Sequence, residues 1–347
     1  MREPLVSILI PVYNAEAYLL NLMKQLRSQI FINWEVVMVN DGSTDGSGEL
    51  CEQLAATDHR IRIIHQSNQG VSATRNKLLQ KARGTYVAFV DADDCLDNYY
   101  LEKLVKQMQQ TSSDLVVCGY EEIREIKGNV ISRQDSLFYP NNCLDVNQMS
   151  SLIMPYMNSG LFNPLWNKLY KRQIIESYQL SFRENMKTGE DLIFNLDYFR
   201  NIKTVSFVNE SLYGYMRRQN NSITYQYMDQ MYQKGLEIHQ EVENFLKVMN
   251  YDTKENELIL MENHLGGVFS AWLNLFHNDC PLTVKQKWRE IKKILHRDYV
   301  KKCAEEVQPK NKMIKLTKGL IRLNSIITVM VCFKLISCLR EGKKRWE

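Results

Sequence analysis

Residues 5–45 decide the fold, and they read LVSILIPVYNAEAYLLNLMKQLRSQIFINWEVVMVNDGSTD. Two short runs rich in β-branched residues, 6–10 and 35–39, flank a segment at 15–27 whose apolar residues recur with a helical period. Strands that are apolar throughout and joined by a helix are typical of a parallel βαβ unit in a sheet covered on both faces. We therefore predict an α/β fold.

The alternation continues to about residue 120. Further strand-like runs lie at 61–65, 86–90 and 115–118, and helix-period segments lie at 46–56, 71–82 and 99–109. Residues 121–160 are less regular. From about 226 the pattern is helical, at 230–249, 255–276 and 283–296. This indicates an α/β domain over 1–225 and a mainly helical C-terminal region over 226–347.

The composition is that of an ordinary globular protein. Of 347 residues 44% are hydrophobic and 24% charged, and a net charge of +4 is too small to indicate nucleic-acid binding. Eight cysteines include no CxxC pair, which favours reduced thiols in a cytosol over a disulfide framework. Because the N-terminal residues lack a signal-segment pattern, we expect a cytoplasmic protein.

Polar clusters follow four of the predicted strands at the point where each strand ends. They are Tyr13-Asn14 and residues 40–43, 68–70 and 91–94. Ligands of open α/β sheets bind at the carboxyl ends of the strands. The topology alone therefore predicts a binding site at this edge.

The triplet Asp91-Ala92-Asp93 leaves a strand with two carboxylates at i and i+2. Such a pair can converge on a hard divalent cation and leave positions open for phosphate. The alternative is a polar strand end, with Asp94 as the cap of the next helix. The triplet alone does not decide between them.

Similar alternatives hold at three further places. Asp41 could accept a hydrogen bond from a nucleobase or belong to a capped turn. Arg75, near a helix start, could pair with phosphate or be a solvated surface charge. Glu190 and Asp191 could satisfy a helix dipole or place a general base beside an acceptor hydroxyl.

Taken in order, these motifs resemble glycosyltransferase family 2 over about residues 1–225. The matching stretches are SILIPVYN (7–14), VNDGSTD (39–45), QGVSATRN (69–76), VAFVDADD (87–94), WNKLYKR (166–172), TGED (188–191) and Arg217 with SIT (222–224). The resemblance implies the GT-A fold, which is Rossmann-like, with a mostly parallel central sheet and helices on both faces. It does not extend to the helical region.

The resemblance also implies a donor pocket. Tyr13 would stack on the nucleotide base and Asp41 would hydrogen-bond it, while Pro11 and Glu16 would line the pocket. Arg75 would reach the base and the diphosphate.

For the reaction centre, the resemblance implies that Asp91 approaches the ribose, that Asp93 together with Asp91 ligates Mn²⁺ or Mg²⁺, and that Ala92 binds the nucleotide sugar. Asp191 matches the family's general base, and Glu190 would lie near the donor or acceptor sugar.

The last matches concern a mobile loop and the acceptor. Arg217 and Ser222 resemble residues that close over the leaving diphosphate, although Met216 stands where many relatives have an aromatic residue. The acceptor side would be shaped by Trp166, Asn167 and Lys168, and packing is an equal interpretation of Trp166.

The activity implied by the resemblance is inverting, metal-dependent transfer of a hexose-type sugar. The donor would be a nucleotide sugar, with UDP favoured, and the acceptor a hydroxyl of a glycan or a polyprenyl-linked saccharide in capsule or cell-envelope synthesis. A non-catalytic scaffold that binds nucleotide sugar or glycan is the alternative. A nucleotidyltransferase or a dehydrogenase is not favoured, because no Gly-rich phosphate loop follows the first strand.

The C-terminal tail carries a separate signal. Residues 310–347 hold ten Lys/Arg and two Glu, and an apolar run at 325–339 is interrupted by Lys334. That run is shorter than the roughly 20 residues needed to span a bilayer. We expect a basic amphipathic helix on the inner face of the cell membrane. The alternatives are a helix docked on the protein and pairing of two copies through the C-terminal helices.

Overall fold

The architecture is that of a computed structural model, which describes residues 3–126, 128–137, 143–186, 188–218 and 227–344, with side chains as far as residue 339. The chain divides into two compact units, Met1–Gln219 and Asn220–Glu347. The boundary predicted at residue 225 lies outside the described residues.

One ten-stranded sheet forms the centre of the first unit. Its strands are β1 (Val6–Val12), β2 (Trp34–Asp41), β3 (Ile61–Gln66), β4 (Tyr86–Phe89), β5 (Cys95–Leu96), β6 (Leu115–Ile126), β7 (Asn129–Ser136), β8 (Cys143–Asp145), β9 (Lys168–Lys171) and β10 (Thr204–Arg218). Eight of them follow the order β3-β2-β1-β4-β9-β6-β10-β5, while β7 pairs with β6 and β8 with β10.

Helices alternate with the first strands as the sequence pattern predicts. The helices of this unit are α1 (Glu16–Arg27), α2 (Ser47–Thr57), α3 (Val71–Lys81), α4 (Tyr100–Thr111), α5 (Ile153–Asn158), α6 (Arg172–Ser177) and α7 (Glu190–Phe199). Every residue of β2, and all of β1 except Pro11, is buried. The α1 stripe of Leu19, Leu22, Met23 and Leu26 is buried in the same core. These apolar runs therefore form the core that positions the loops.

The α/β fold class is confirmed, but the sheet is mixed. The strands β1, β2, β3 and β4 pair in parallel, as do β6 and β10. The strand β9 joins β4 and β6 antiparallel, and β5, β7 and β8 also pair antiparallel. Part of the irregular segment at 121–160 is thus the β6–β7 hairpin. Its β7 strand is mostly exposed, so it lacks a buried apolar pattern.

The second unit is helical in its described part. Its helices are α8 (Met231–Val248), α9 (Lys254–Asn274), α10 (Val284–Leu295), α11 (Asp298–Glu306), α12 (Lys312–Leu323) and α13 (Ile326–Lys344). Its apolar core includes Trp272 and Leu265 of α9, Ile291 of α10 and Phe333 of α13. Among the described helices, none has the length and hydropathy required to cross a membrane.

Candidate functional site: an arginine–carboxylate cluster at the sheet edge

The end of β2 fixes the loop that precedes α3. One carboxylate oxygen of Asp41 accepts hydrogen bonds from the Gln69 N–H at 2.8 Å and the Gln66 amide at 2.9 Å, and the other accepts from the Gly70 N–H at 2.9 Å. Gly42 has a φ of +68°, and a Cβ there would meet the backbone nitrogen of Asn68 at 2.7 Å. Asp41 is buried, and its hydrogen bonds hold the loop that leads into α3. It therefore belongs to a hydrogen-bonded turn, although the loop that it holds follows β3 and not β2.

The loop after β1 interlocks with the loop after β2. The Asn14 side chain accepts from the Thr44 N–H at 2.8 Å, and the Glu16 carboxylate accepts from the Gly46 N–H at 2.9 Å. Tyr13 is exposed and Pro11 is half-buried at this edge of the sheet. The exposed Tyr13 ring is thus available for stacking. The Glu16 carboxylate instead accepts a hydrogen bond from the loop that leads into α2.

The Asp triplet after β4 divides into exposed and buried acids. The Asp93 side chain is 48% exposed and that of Asp91 is 33% exposed. Asp94 is buried, and its carboxylate accepts from the Tyr213 hydroxyl at 2.7 Å and from the Met216 N–H at 2.8 Å. The helix-cap interpretation of Asp94 is therefore wrong: it fastens the loop after β4 to β10.

Arg75 lies at the centre of a cluster of three acids. Its Nη1 donates to Asp191 at 2.6 Å and to Glu190 at 3.2 Å, and its Nη2 lies 3.7 Å from Asp91. The guanidinium is buried and lies 5.6 Å from the ring centroid of Phe182. The surface-charge interpretation of Arg75 is thus wrong. Arg75 thus pairs with a residue that lies 116 positions away along the chain.

Local structure explains how the two acids reach Arg75. Gly189 precedes α7 with a φ of +80°, in the left-handed region that glycine adopts without strain. Glu190 and Asp191 then lie in the first turn of α7, where the helix dipole favours negative charge. Arg75 lies on α3, and the loop that Asp41 holds directly precedes the first turn of this helix.

Burial raises the pKa of the Asp191 carboxyl to about 7; the positive charge of Arg75 opposes this shift, and the negative charges of Glu190 and Asp91 add to it. The Asp91 carboxyl is 33% exposed, but the protein around it partly desolvates it, and this raises its pKa against the effect of Arg75. Groups with pKa values near neutrality suit proton transfer. This pKa is compatible with proton transfer at Asp191, and its role as general base stays a prediction.

Two arginines at the end of β10 face acids of neighbouring elements. Arg217 donates to the Glu122 carboxylate at 3.2 Å. Arg218 donates to the Asp93 carbonyl at 2.6 Å and lies 3.3 Å from its carboxylate, with Tyr18 and Glu125 beside its guanidinium. Ser222, the other residue predicted for this loop, lies outside the described residues.

The residues predicted for the acceptor side lie beneath the surface. Trp166 stacks on Tyr213, with ring centroids 4.4 Å apart. The Asn167 amide donates to the carbonyls of Cys118 and Leu161. The Lys168 ammonium donates to the Pro164 carbonyl, and burial lowers the pKa of Lys168 to about 7. These side chains are packed and hold local backbone, so shaping the acceptor side stays a prediction.

The donor set at the strand end fits a divalent cation that is shared with a ligand. In the described part of the chain, no three His, Cys, Asp or Glu side chains form a cluster that could hold a metal by themselves. Mg²⁺ is usually bound by one or two carboxylates together with substrate phosphates. The half-exposed Asp93, with Asp91 beside it, could supply that share.

Comparison with known proteins identifies the family of this chain. The family model described as "Glycosyl transferase family 2" matches residues 7–178. The putative glycosyltransferase EpsH of Bacillus subtilis is 34% identical over 72% of this chain and 71% of its own length. The uncharacterized glycosyltransferase EpsJ of the same organism is 35% identical over 64% of this chain and 63% of its length. The chain is a glycosyltransferase and belongs to glycosyltransferase family 2.

Solved structures support the fold. The crystal structure of S. aureus TarS residues 1–349 matches with a TM-score of 0.64 at 20% identity, over 97% of this chain and 91% of that one. Its complex with UDP-GlcNAc matches with a TM-score of 0.66 at 21% identity, over 97% and 92%. At this identity the likeness concerns architecture, and it confirms the predicted GT-A fold.

Several residues of the site were not predicted from the sequence. They are Arg218, Tyr213 and Phe182, together with the structural role of Asp94. Arg218 directly follows Arg217, which belongs to a family motif, so its position in the sequence could have indicated it. The contacts of Tyr213 and Phe182 join distant segments, and no local pattern indicates them.

Proposed function

We propose that this glycosyltransferase moves a hexose-type sugar from a UDP-sugar to a hydroxyl of a glycan or polyprenyl-linked saccharide, with inversion at C1. The product would belong to capsule or cell-envelope polysaccharide. The observation that carries the proposal is the joining of Asp91, Glu190 and Asp191 by one buried guanidinium, that of Arg75. UDP is favoured because TarS, which shares this fold, forms complexes with UDP and UDP-GlcNAc.

The donor side must stabilise the negative charge that grows on the diphosphate as the C1–O bond breaks. Preorganised groups aimed at such charge contribute about 3–4 kcal/mol each. Arg217 would provide one positive charge, and Arg75 has a buried Nε without a hydrogen-bond partner among the described residues. A divalent cation held by Asp93 with Asp91 would supply further charge stabilisation when bound.

The acceptor side must remove a proton from the attacking hydroxyl. Asp191 would take this proton while the oxygen attacks C1 from the face opposite the diphosphate, which inverts the anomeric centre. Base catalysis of this kind contributes roughly 100- to 10,000-fold in rate. Arg75 and Glu190 would hold the carboxylate in position, since both lie within its hydrogen-bonded cluster.

The base assignment is tested with Asp191→Asn. We expect transfer to fall by at least about 100-fold, because the amide cannot accept the proton, while UDP still binds. Asp197→Asn makes the same change on the same helix, at a residue paired with Arg200, and should leave transfer nearly unchanged. Normal turnover by Asp191→Asn would contradict the assignment.

A donor screen addresses the chemistry as a whole. Purified protein with Mn²⁺ is incubated with a panel of sugar nucleotides and acceptor glycans, and release of nucleoside diphosphate is measured. We expect release with a UDP-sugar. UDP binding without release from any donor would instead support the non-catalytic scaffold.

A further inference from the structure

The last described helix, α13, has one side buried in the helical unit. Val329 and Phe333 are fully buried. The Phe333 ring lies 5.2 Å from that of Phe269 and 5.6 Å from that of Trp272, between centroids. The Ser337 hydroxyl donates to the Phe276 carbonyl at 2.7 Å. The helix is therefore docked on its own unit, which is one of the alternatives predicted from the sequence for the tail.

The other side of α13 is apolar and exposed. Ile327, Val331, Leu335 and Leu339 are spaced by four residues, which places them along one stripe of the helix. Their exposed fractions are 72%, 55%, 59% and 71%. Leu323, at the end of α12, is 67% exposed. Large side chains that remain uncovered in a continuous row mark an interaction surface. We call these five residues the apolar stripe.

Basic residues accompany the apolar stripe. On α12, Lys312, Lys315 and Arg322 are exposed together with Leu316, and on α13 Lys334 is exposed between two stripe residues. The neighbouring helix α10 exposes Val284 and Trp288, with Lys292 lying 5.2 Å from the Trp288 ring centroid. Over residues 284–345 the sequence has eighteen Lys/Arg against five Asp/Glu.

The positive charge of this region distinguishes between the two partners that could cover the apolar stripe, a second copy of the chain and a lipid surface. A second copy would bring an equally basic surface against the first, and juxtaposed like charges oppose association. An anionic lipid surface supplies both partners at once, since acyl chains take up the apolar side chains and headgroups attract Lys and Arg. Tryptophan next to lysine is also typical of the membrane–water interface.

We propose that the apolar stripe and its flanking basic residues dock this glycosyltransferase on a lipid leaflet rich in anionic headgroups. The helix α13 lies in the leaflet plane with Phe333 facing its own unit and the apolar stripe facing the lipid. The inference does not depend on the reaction proposed above, because binding to lipid requires neither donor nor acceptor.

The full-length protein is tested by co-flotation with vesicles of phosphatidylcholine alone or mixed with phosphatidylglycerol. We expect partition onto the mixed vesicles to be at least about tenfold stronger, since each basic residue near an anionic surface contributes about fivefold. Added salt should weaken the binding. Ile327→Ser combined with Leu335→Ser should lower partition by at least about tenfold, because two large apolar side chains are lost from the contact.

The matched control is Val130→Ser combined with Val248→Ser, two residues about half exposed on β7 and α8. It should bind like the parent protein, and thermal melting checks that both double variants fold. Unchanged binding of the stripe variant would overturn the proposal, as would binding of the parent to neutral and anionic vesicles alike. Absence of vesicle binding, or a lipid-free dimer that only the stripe variant dissociates, would also overturn it.

Discussion

The guanidinium of Arg75 donates to the carboxylate of Asp191 across 2.6 Å, although the two residues lie on different helices and 116 positions apart. The same guanidinium approaches Asp91 at the end of a strand. One side chain thus connects the part of the site expected to bind the donor with the part expected to activate the acceptor.

The first prediction concerns pH. Burial raises the pKa of Asp191 to about 7, so the basic form is gained only as pH rises through that value. We expect kcat/KM to fall about tenfold per unit below pH 6 and to level off above pH 8. Glu190→Gln removes a neighbouring negative charge and should move the midpoint to lower pH. A profile with the same midpoint in that variant would show that another group titrates.

The second prediction concerns the bridge between β4 and β10. The Tyr213 hydroxyl accepts from the Asp91 N–H and donates to Asp94, so Tyr213→Phe leaves two buried polar groups short of a partner. We expect a loss of about 1–3 kcal/mol in the free energy of unfolding, together with weaker donor binding.

Tyr198→Phe is the control for that change. Its hydroxyl accepts from the Lys171 N–H and donates to the Asp114 carbonyl, away from the acid cluster. It should lose comparable stability in chemical denaturation and keep the parent's KM for the donor. An equal rise in KM for both variants would mean that the effect is one of general stability.

The third prediction concerns Arg218, whose guanidinium pairs with the carboxylate that is expected to ligate the cation. In the absence of donor we expect this guanidinium, 3.3 Å from the Asp93 carboxylate, to compete with a metal ion for it. A partly exposed ion pair contributes about 0.2–1 kcal/mol, so Arg218→Gln should tighten Mn²⁺ binding by about 1.4- to fivefold in an EPR titration. Arg133→Gln breaks a surface pair with Glu121 and should leave Mn²⁺ affinity unchanged. Weaker binding by Arg218→Gln would show that the arginine supports the cation.

The fourth prediction concerns the stability of the helical unit. Burial lowers the pKa of His264 to about 4, and the nearby positive charges of His239 and Arg297 add to the effect. The unfolded chain takes up this proton near pH 6.5, whereas the folded chain resists it until about pH 4. Stability should therefore be fully present above pH 6.5 and fall by up to about 3 kcal/mol as the pH drops to 4.

His264→Gln tests this linkage through the slope of stability against pH, which should flatten between those values in denaturant titrations. His296→Gln, an exposed histidine of the same unit, should keep the parent's slope. An unchanged slope in His264→Gln would assign the pH dependence to other groups.

Local patterns predicted the core of this chain well, because its strands and helices are defined by burial. The runs at 6–10 and 35–39 fall inside β1 and β2, and the segment at 15–27 begins one residue before α1. The antiparallel insertion of β9 between β4 and β6 was not predicted. It depends on pairing between segments far apart in sequence, which a local period does not encode.

The residues of the candidate site likewise divide into those that the sequence indicated and those whose contacts it did not. The family motifs indicated Asp91, Arg75 and Asp191, and the structure brings these three together. The buried role of Asp94 depends on Tyr213 and Met216, more than a hundred residues away, and could not be predicted from its own neighbourhood. A hydrogen bond from Asp41 to a nucleobase stays a prediction, and no local pattern indicated that its carboxylate would accept hydrogen bonds from Gln66 at the end of β3 and from Gln69 and Gly70 after it.

The stacking of Trp166 on Tyr213 has a practical consequence. The indole lies against a ring whose hydroxyl accepts from the Asp91 N–H and donates to the Asp94 carboxylate, so a ligand that moves the loop after β4 should alter the environment of a natural fluorophore. Tryptophan emission therefore offers a label-free optical signal of site occupancy, already built into the chain and suited to rapid-mixing measurements.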